Sequence, residues 1–359
     1  MRLPRPAARF SVLFFCAALF FAAPWPAVRA AGLPAQQTPD APPNFEFHSG
    51  FWVNLHHFLY LQGRARNLAK ESAAQGTSAA KQGLPAPVST DGLSAEQLRA
   101  WNAAVDAYAA DWSSRDLQLN LDMAVINNRL AELENCGELS GKNRLVCKAD
   151  LREDLVTALD EAAPIYRARW WNEQDQENRA WIAHVAPLVR QMGVSLSADL
   201  AQIYQTAWPR EAIRVDVVWS VGPLGAYTTL NPVHVTVASS DPRNQGASSL
   251  EVLFHEASHA LAGQLTEAIT RECRQQGKPI PRDLWHAVLY YTAGEMTRRV
   301  YADSSNGGSG SDYTPYADRN GLYDQDWSQY RTVLELYWQP YLEGKLTFDK
   351  AIERMITAL

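Results

Sequence analysis

An α+β fold, predominantly helical, with a small β-sheet just before one apolar helix, is what this 359-residue sequence predicts. Three observations carry it. From about residue 45 to 209 nearly every apolar run has helical spacing. Residues 213–219 (IRVDVVW) and 233–238 (VHVTVA) are β-branched and alternate with period two. Helical spacing then returns from about residue 249 onward. With 47% hydrophobic and 20% charged residues, the chain is neither intrinsically disordered nor a fibrous repeat.

The first thirty residues read as an export signal. Arg2, Arg5 and Arg9 precede an apolar run over 10–23 that only Ser11 interrupts, too short to span a bilayer comfortably. Pro24 and Pro26 follow, and Val28 and Ala30 occupy the small-residue positions that signal peptidase reads, so cleavage is expected after Ala30. Removal of 1–30 takes away four arginines and no acids and changes the net charge from −6 to −10. A chain this acidic is a poor ligand for nucleic acid or an anionic membrane surface, and no later run reaches membrane-spanning length. The expected location is secreted or periplasmic, with no stable membrane insertion after cleavage.

Export implies an oxidising compartment. Of four cysteines, Cys16 leaves with the signal, and Phe14 and Phe15 before it exclude a lipoprotein site. Cys136 and Cys147 flank a short polar stretch, and a disulfide there would close a small loop worth roughly 3 kcal/mol and staple a helix–helix connection. Cys273 remains as a buried free thiol.

In chain order, residues 31–44 (AGLPAQQTPDAPPN) read as a flexible linker. Helices are expected near 50–63, 95–112, 116–135, 143–162, 173–192 and 197–207, with 75–92 an exposed loop. Ser94 with Gln97, and Leu93 facing Leu98, form a capping box and staple that start the second of these. Strands follow at 213–219 and 233–238, with 227–230 a third short one after a glycine turn. Further helices are expected at 249–276, 282–301, 325–342 and 347–357, interrupted by a Gly/Ser/Asp/Tyr-rich loop over 303–325. The change of character places a boundary near 210, between a helical region (45–210) and a second domain (211–359).

The chemistry lies in LFHEASHAL, where His255, Glu256 and His259 form His-Glu-x-x-His. Ser248 as N-cap with Glu251 at the third position would start its helix. One helical turn apart, both imidazoles reach a single Zn²⁺, and Glu256, turned about 100° away, sits beside them without being a ligand. Leu250, Leu253, Phe254, Ala257, Ala260 and Leu261 make the other faces apolar. The helix is therefore buried, and its polar groups need a partner.

With uncharged Val252, Ala257, Ser258, Ala260 and Leu261 around the motif, the sequence resembles the zincin superfamily of metallopeptidases over about residues 211–301. That resemblance implies a zincin-like second domain, a zinc cofactor and a peptide or protein substrate. It also implies a mixed sheet whose edge strand, here 233–238, aligns the substrate. A metzincin would have glycine and histidine where Ala262 and Leu265 stand. A gluzincin takes its third ligand from a later helix, which favours Glu295 in TAGEMTRR, with Gly294 beside it allowing close helix approach. His286 is the main alternative, and Asp283 and Asp303 are further ones. Arg299 stands where gluzincins often have an aspartate that orients a histidine.

In the expected mechanism zinc lowers the pKa of water to ~7 and Glu256 is the general base. A tyrosine after the ligands would stabilise the oxyanion, with Tyr291, Tyr313 and Tyr316 the candidates and Tyr301, Tyr323 and His286 further ones. His48, His56, His57, His184 and His234 read as structural, although His234 lies on the expected substrate strand. A different reading is a non-catalytic zincin-like or aromatic-rich binding protein for extracellular polymers. Twelve tryptophans, with Trp52 or the pair Trp170 and Trp171 offering stacking surfaces, would serve it.

Overall fold

The computed structural model describes residues 44–75, 87–304, 313–325 and 327–359. The expected signal segment, nearly all of the linker, and the centres of the 75–92 and 303–325 loops lie outside the described residues. Among the described residues no helix is long and apolar enough to cross a membrane.

The architecture is α+β and mostly helical. A four-residue strand, β1 (Phe45–His48), leads into α1 (Phe51–Gln75). Next come α2 (Ala95–Ala110), α3 (Leu121–Glu132), α4 (Glu153–Tyr166) and the long α5 (Asn172–Ile203). The strands β2 (Ile213–Val218), β3 (Ala226–Thr229) and β4 (His234–Ala238) follow. They are succeeded by α6 (Ala247–Ser258), α7 (Gly263–Gln276) and α8 (Leu284–Ser304). The short α9 (Tyr316–Arg319), α10 (Ser328–Val333) and α11 (Gln339–Leu342) precede the closing α12 (Phe348–Ala358). The capping box at Ser94 and Gln97 forms as its sequence requires.

The sheet order is β1-β2-β4-β3, with β3 antiparallel to β4 and the other pairs parallel. Strand alternation decides which core each residue enters. Val215, Val217, Val235 and Val237 join a core with α5, α6, α7, α8 and α12, whereas Val218 and Ala238 join a second core with α1 to α4. On the second face α3 contributes polar partners: Asn128 bonds His234 at 2.7 Å, and Asn127 bonds Thr236 at 3.3 Å.

Several sequence expectations need amendment. β1 lies before the boundary drawn near 210 and pairs with Ile213 to Asp216 beyond it, and α5 belongs to the later core. The described chain from residue 44 belongs to one compact unit. The helices read at 173–192 and 197–207 are one continuous α5, with Pro187 inside it. The strand at 233–238 is interior, so the edge beside α6 is β3. Cys136 and Cys147 form a disulfide across the α3–α4 connection, and Cys273 is free and buried.

Candidate metal centre

The helix read as 249–276 is two helices. α6 ends at Ser258, a tight turn covers His259–Leu261, and α7 starts at Gly263. Gly246, with φ of +60°, occupies the cap position in place of Ser248, a conformation that glycine adopts without penalty. Ser248 and Glu251 are thus inside the helix, and Glu251 is free to bond elsewhere. His255 lies in the last turn of α6 and His259 at its end, ring centroids 5.2 Å apart.

α8 crosses α6 and supplies His286. Its Nε2 lies 3.3 Å from His255 Nε2, and one nitrogen from each of His255, His259 and His286 falls within 4.8 Å of the others. His255 is fully buried, while His259 and His286 are partly exposed, so the cluster opens on their side. Burial lowers the basicity of all three. His259 drops to about 4 and His286 to about 3, the latter also through the neighbouring His259. His255 lies well below its ordinary value, through burial first and then through His259 and His286.

Three imidazoles that burial keeps neutral therefore bring one ring nitrogen each to a common point, where each could offer a lone pair to a metal ion. Zn–N bonds of about 2.0–2.1 Å at tetrahedral angles put ligand nitrogens roughly 3.3 Å apart. The observed His255–His286 spacing matches that value, and the all-nitrogen donor set suits Zn²⁺.

Glu295 is not in this cluster. Its carboxylate takes Arg298 Nη2 at 2.6 Å and Nε at 3.2 Å, one turn along α8. Nine residues separate Glu295 from His286, two and a half turns, so the two side chains leave α8 on opposite sides. Asp283 is paired with Arg282, and Asp303 is exposed at the far end of α8. Arg299 donates to Leu342 O at 3.0 Å. Aromatic rings flank the imidazoles: Tyr290 stacks on His255 at 3.6 Å and 22°, and Trp285 on His286 at 5.0 Å and 20°.

Glu256 is buried next to the cluster, its Oε2 3.9 Å from His259 Nε2. Thr228 of the edge strand β3 donates its hydroxyl toward Glu256 Oε2 at 2.8 Å, with the Glu256 carbonyl at 2.9 Å. Burial pushes the Glu256 carboxyl up to about 7, against the opposing pull of the Thr228 hydrogen bond.

Of the expected tyrosines, Tyr291 points away and donates to Gln339 Oε1 at 3.1 Å. Tyr313 bonds Glu251. Tyr316 is close enough for the charge of Glu256 to bear on it and stacks on Tyr290 at 5.7 Å. Sequence reasoning missed Tyr290 and Thr228. Tyr290 was legible as the residue one turn after His286, whereas nothing local marks Thr228.

The other histidines have structural partners. His57 bonds Val53 and Tyr227, His56 bonds Tyr108, and His48 bonds Glu134. His234 is held between Asn128 and Asp216, and His184 lies 3.2 Å from Gly246 O. No protein-family model, curated protein or solved structure matches the chain.

Proposed function

We propose that this chain is a zinc-dependent metallohydrolase of zincin-like architecture, acting as a peptidase on peptides or proteins outside the cytoplasm. The supporting observation is the convergence of three neutral histidines, one buried and two partly exposed, with Glu256 directly beside them. His255, His259 and His286 would hold the metal. When bound, Zn²⁺ supplies Lewis acidity, polarising a carbonyl and bringing the pKa of water near ~7.

The remaining work falls to side chains. Glu256, with its carboxyl near 7, is matched to accept a proton at neutral pH and return it to the leaving amine. Thr228 holds its Oε2 in place. Tyr290 and Tyr316 stay protonated across the physiological range, since burial pushes Tyr316 up to about 12 and Tyr290 well above its ordinary value. Both phenols thus remain donors for charge developing on a substrate oxygen. β3, at the sheet edge with Thr228 on it, offers backbone groups to which an extended peptide can add.

Zinc content and peptide hydrolysis, measured on wild type and Glu256→Gln, test this reading. It expects about one bound zinc in both proteins and turnover only in wild type. A wild-type protein that takes up no zinc from metal-supplemented, chelator-free buffer overturns it. Polymer binding has less support. Trp52 is fully buried with its Nε1 on Cys136 O, Trp170 packs on Trp101 at 4.8 Å, and Trp171 packs on Phe51 at 5.4 Å.

A further inference from the structure

Glu251 is a completely buried carboxylate that the hydrolytic scheme does not use. It lies one turn before His255 on α6 and faces the start of α9. Its Oε2 accepts both the Tyr313 hydroxyl and the Tyr316 backbone N–H, the latter at 2.8 Å. Gly294 on α8 completes the arrangement. A Cβ there would meet Pro315 Cβ at 2.6 Å and Glu251 Oε1 at 3.1 Å, so only glycine lets Pro315 and the carboxylate pack against α8 together.

The consequence reaches the metal centre through aromatic rings. The segment pinned by Glu251 ends in Tyr316, which stacks on Tyr290, which stacks on His255. Oε1 of Glu251 has no hydrogen-bond partner among the described residues. A half-satisfied buried carboxylate costs stability, so stability alone does not account for it.

We infer that Glu251 is a positioning residue: it fastens residues 313–316 to α6 and so seats the Tyr316 side chain over Tyr290 at the catalytic cleft. The seating follows from the contacts alone, whereas its effect on turnover rests on the metallohydrolase reading.

Two kinds of measurement separate these. Amide hydrogen exchange at Tyr316, read on Glu251→Ala and Glu251→Gln, reports the seating without any activity. Loss of this buried hydrogen bond should speed exchange by about tenfold in Glu251→Ala. Unchanged exchange in a folded variant overturns the inference, whatever the protein hydrolyses.

Kinetics on Glu251→Gln, Tyr316→Phe and the double variant report the effect. The expectation is a lowered kcat, KM within about twofold, an unchanged zinc affinity, and a double variant no worse than Tyr316→Phe alone. Additive losses, or a fall in zinc affinity, would mean that Glu251 serves the fold of α6, and the inference fails. Should both Glu251 variants fail to fold, Tyr313→Phe removes one donor from the same carboxylate. It should then show a smaller change in Tyr316 exchange, and no change again refutes the seating. If wild type binds no zinc and hydrolyses nothing, the catalytic part of the inference falls with that reading, and exchange still decides the seating.

Discussion

His286 Nε2 stands 3.3 Å from His255 Nε2, across 31 residues of sequence. Two neutral imidazoles at that distance can share one N–H···N hydrogen bond, and a cation bound between them would take a lone pair from each ring in its place. Replacing His286 by Ala should therefore lower zinc affinity by more than about 100-fold, beyond what loss of an indirect partner costs. Glu295→Ala removes only an ion pair with Arg298 on α8 and should leave affinity within about twofold, with less than about 1 kcal/mol lost in stability. Chelator competition on both variants measures this, and the reverse ranking would restore Glu295 as the ligand.

A second prediction concerns pH and lies outside the metal centre. Burial, the largest influence, lowers His57 to about 4 despite the hydrogen bond to Val53 O and the charge of Asp216, and nearby His234 adds to the lowering. Its Nδ1–H donates to Val53 O at 2.7 Å, which leaves Nε2 of the neutral ring to accept from the Tyr227 hydroxyl at 2.8 Å. Between pH 6.5 and 4 the unfolded chain binds a proton here that the folded one refuses. The stabilisation is therefore complete above 6.5 and is lost as pH falls toward 4, by roughly 3 kcal/mol in total. Urea unfolding at pH 7 and pH 5 should show wild type losing about 2 kcal/mol more than His57→Gln. Equal losses would mean that His57 titrates normally.

The metal centre marks how far the sequence could be read. His255, Glu256 and His259 declare themselves because helical geometry fixes the relation between positions one turn apart, and the period-two runs of β2 and β4 need only local sterics. The third ligand depends on where α8 crosses α6, which no local pattern encodes. Glu295 and His286 sit on one helix, and only the crossing point chooses between them. β1 escaped notice for a related reason. FEFH is four residues long and is a strand only through pairing with Ile213 to Asp216, 168 residues away. The break at His259 was hidden because Ala260, Leu261 and Ala262 all favour helix, so tertiary packing, not propensity, sets the turn.

The network on the far face of the sheet carries a stability prediction. Asp216 is fully buried and accepts His234 Nε2 at 2.7 Å and Arg214 Nε at 2.8 Å, while Arg214 continues to Glu134 at 2.7 Å. Burial would raise the Asp216 carboxyl, but His234 and Arg214 outweigh it and hold it at about 2. Asp216→Ala leaves Arg214 and His234 without their buried acceptor and should cost about 3–5 kcal/mol. Glu134→Ala, at the partly exposed end, should cost about 1 kcal/mol or less. Denaturant unfolding of the two variants checks the order. Zinc affinity should be unchanged in any folded Asp216 variant, because the metal centre lies on the opposite face.

Thr228 carries the last prediction, and it links the sheet edge to the proton-transfer step. The threonine hydroxyl is the donor 2.8 Å from Glu256 Oε2, and it partly offsets the burial that raises this carboxyl to about 7. Thr228→Val keeps the shape and removes the donor. The ionised form then loses its hydrogen bond, the carboxyl rises further, and less of it is ionised at neutral pH. Hydrolysis by this scheme needs ionised Glu256, so the acidic limb of kcat/KM should move to higher pH. Rate at pH 7 should fall by about tenfold, the kinetic equivalent of one such hydrogen bond. Loss of orientation lowers kcat at every pH, including above the limb, and this separates it from the pKa effect. Thr228→Ser retains the hydroxyl and should recover most of both. A Val variant with an unshifted limb and full kcat would show that Glu256 is held by its helix alone, and Thr228 would then be a packing residue of β3.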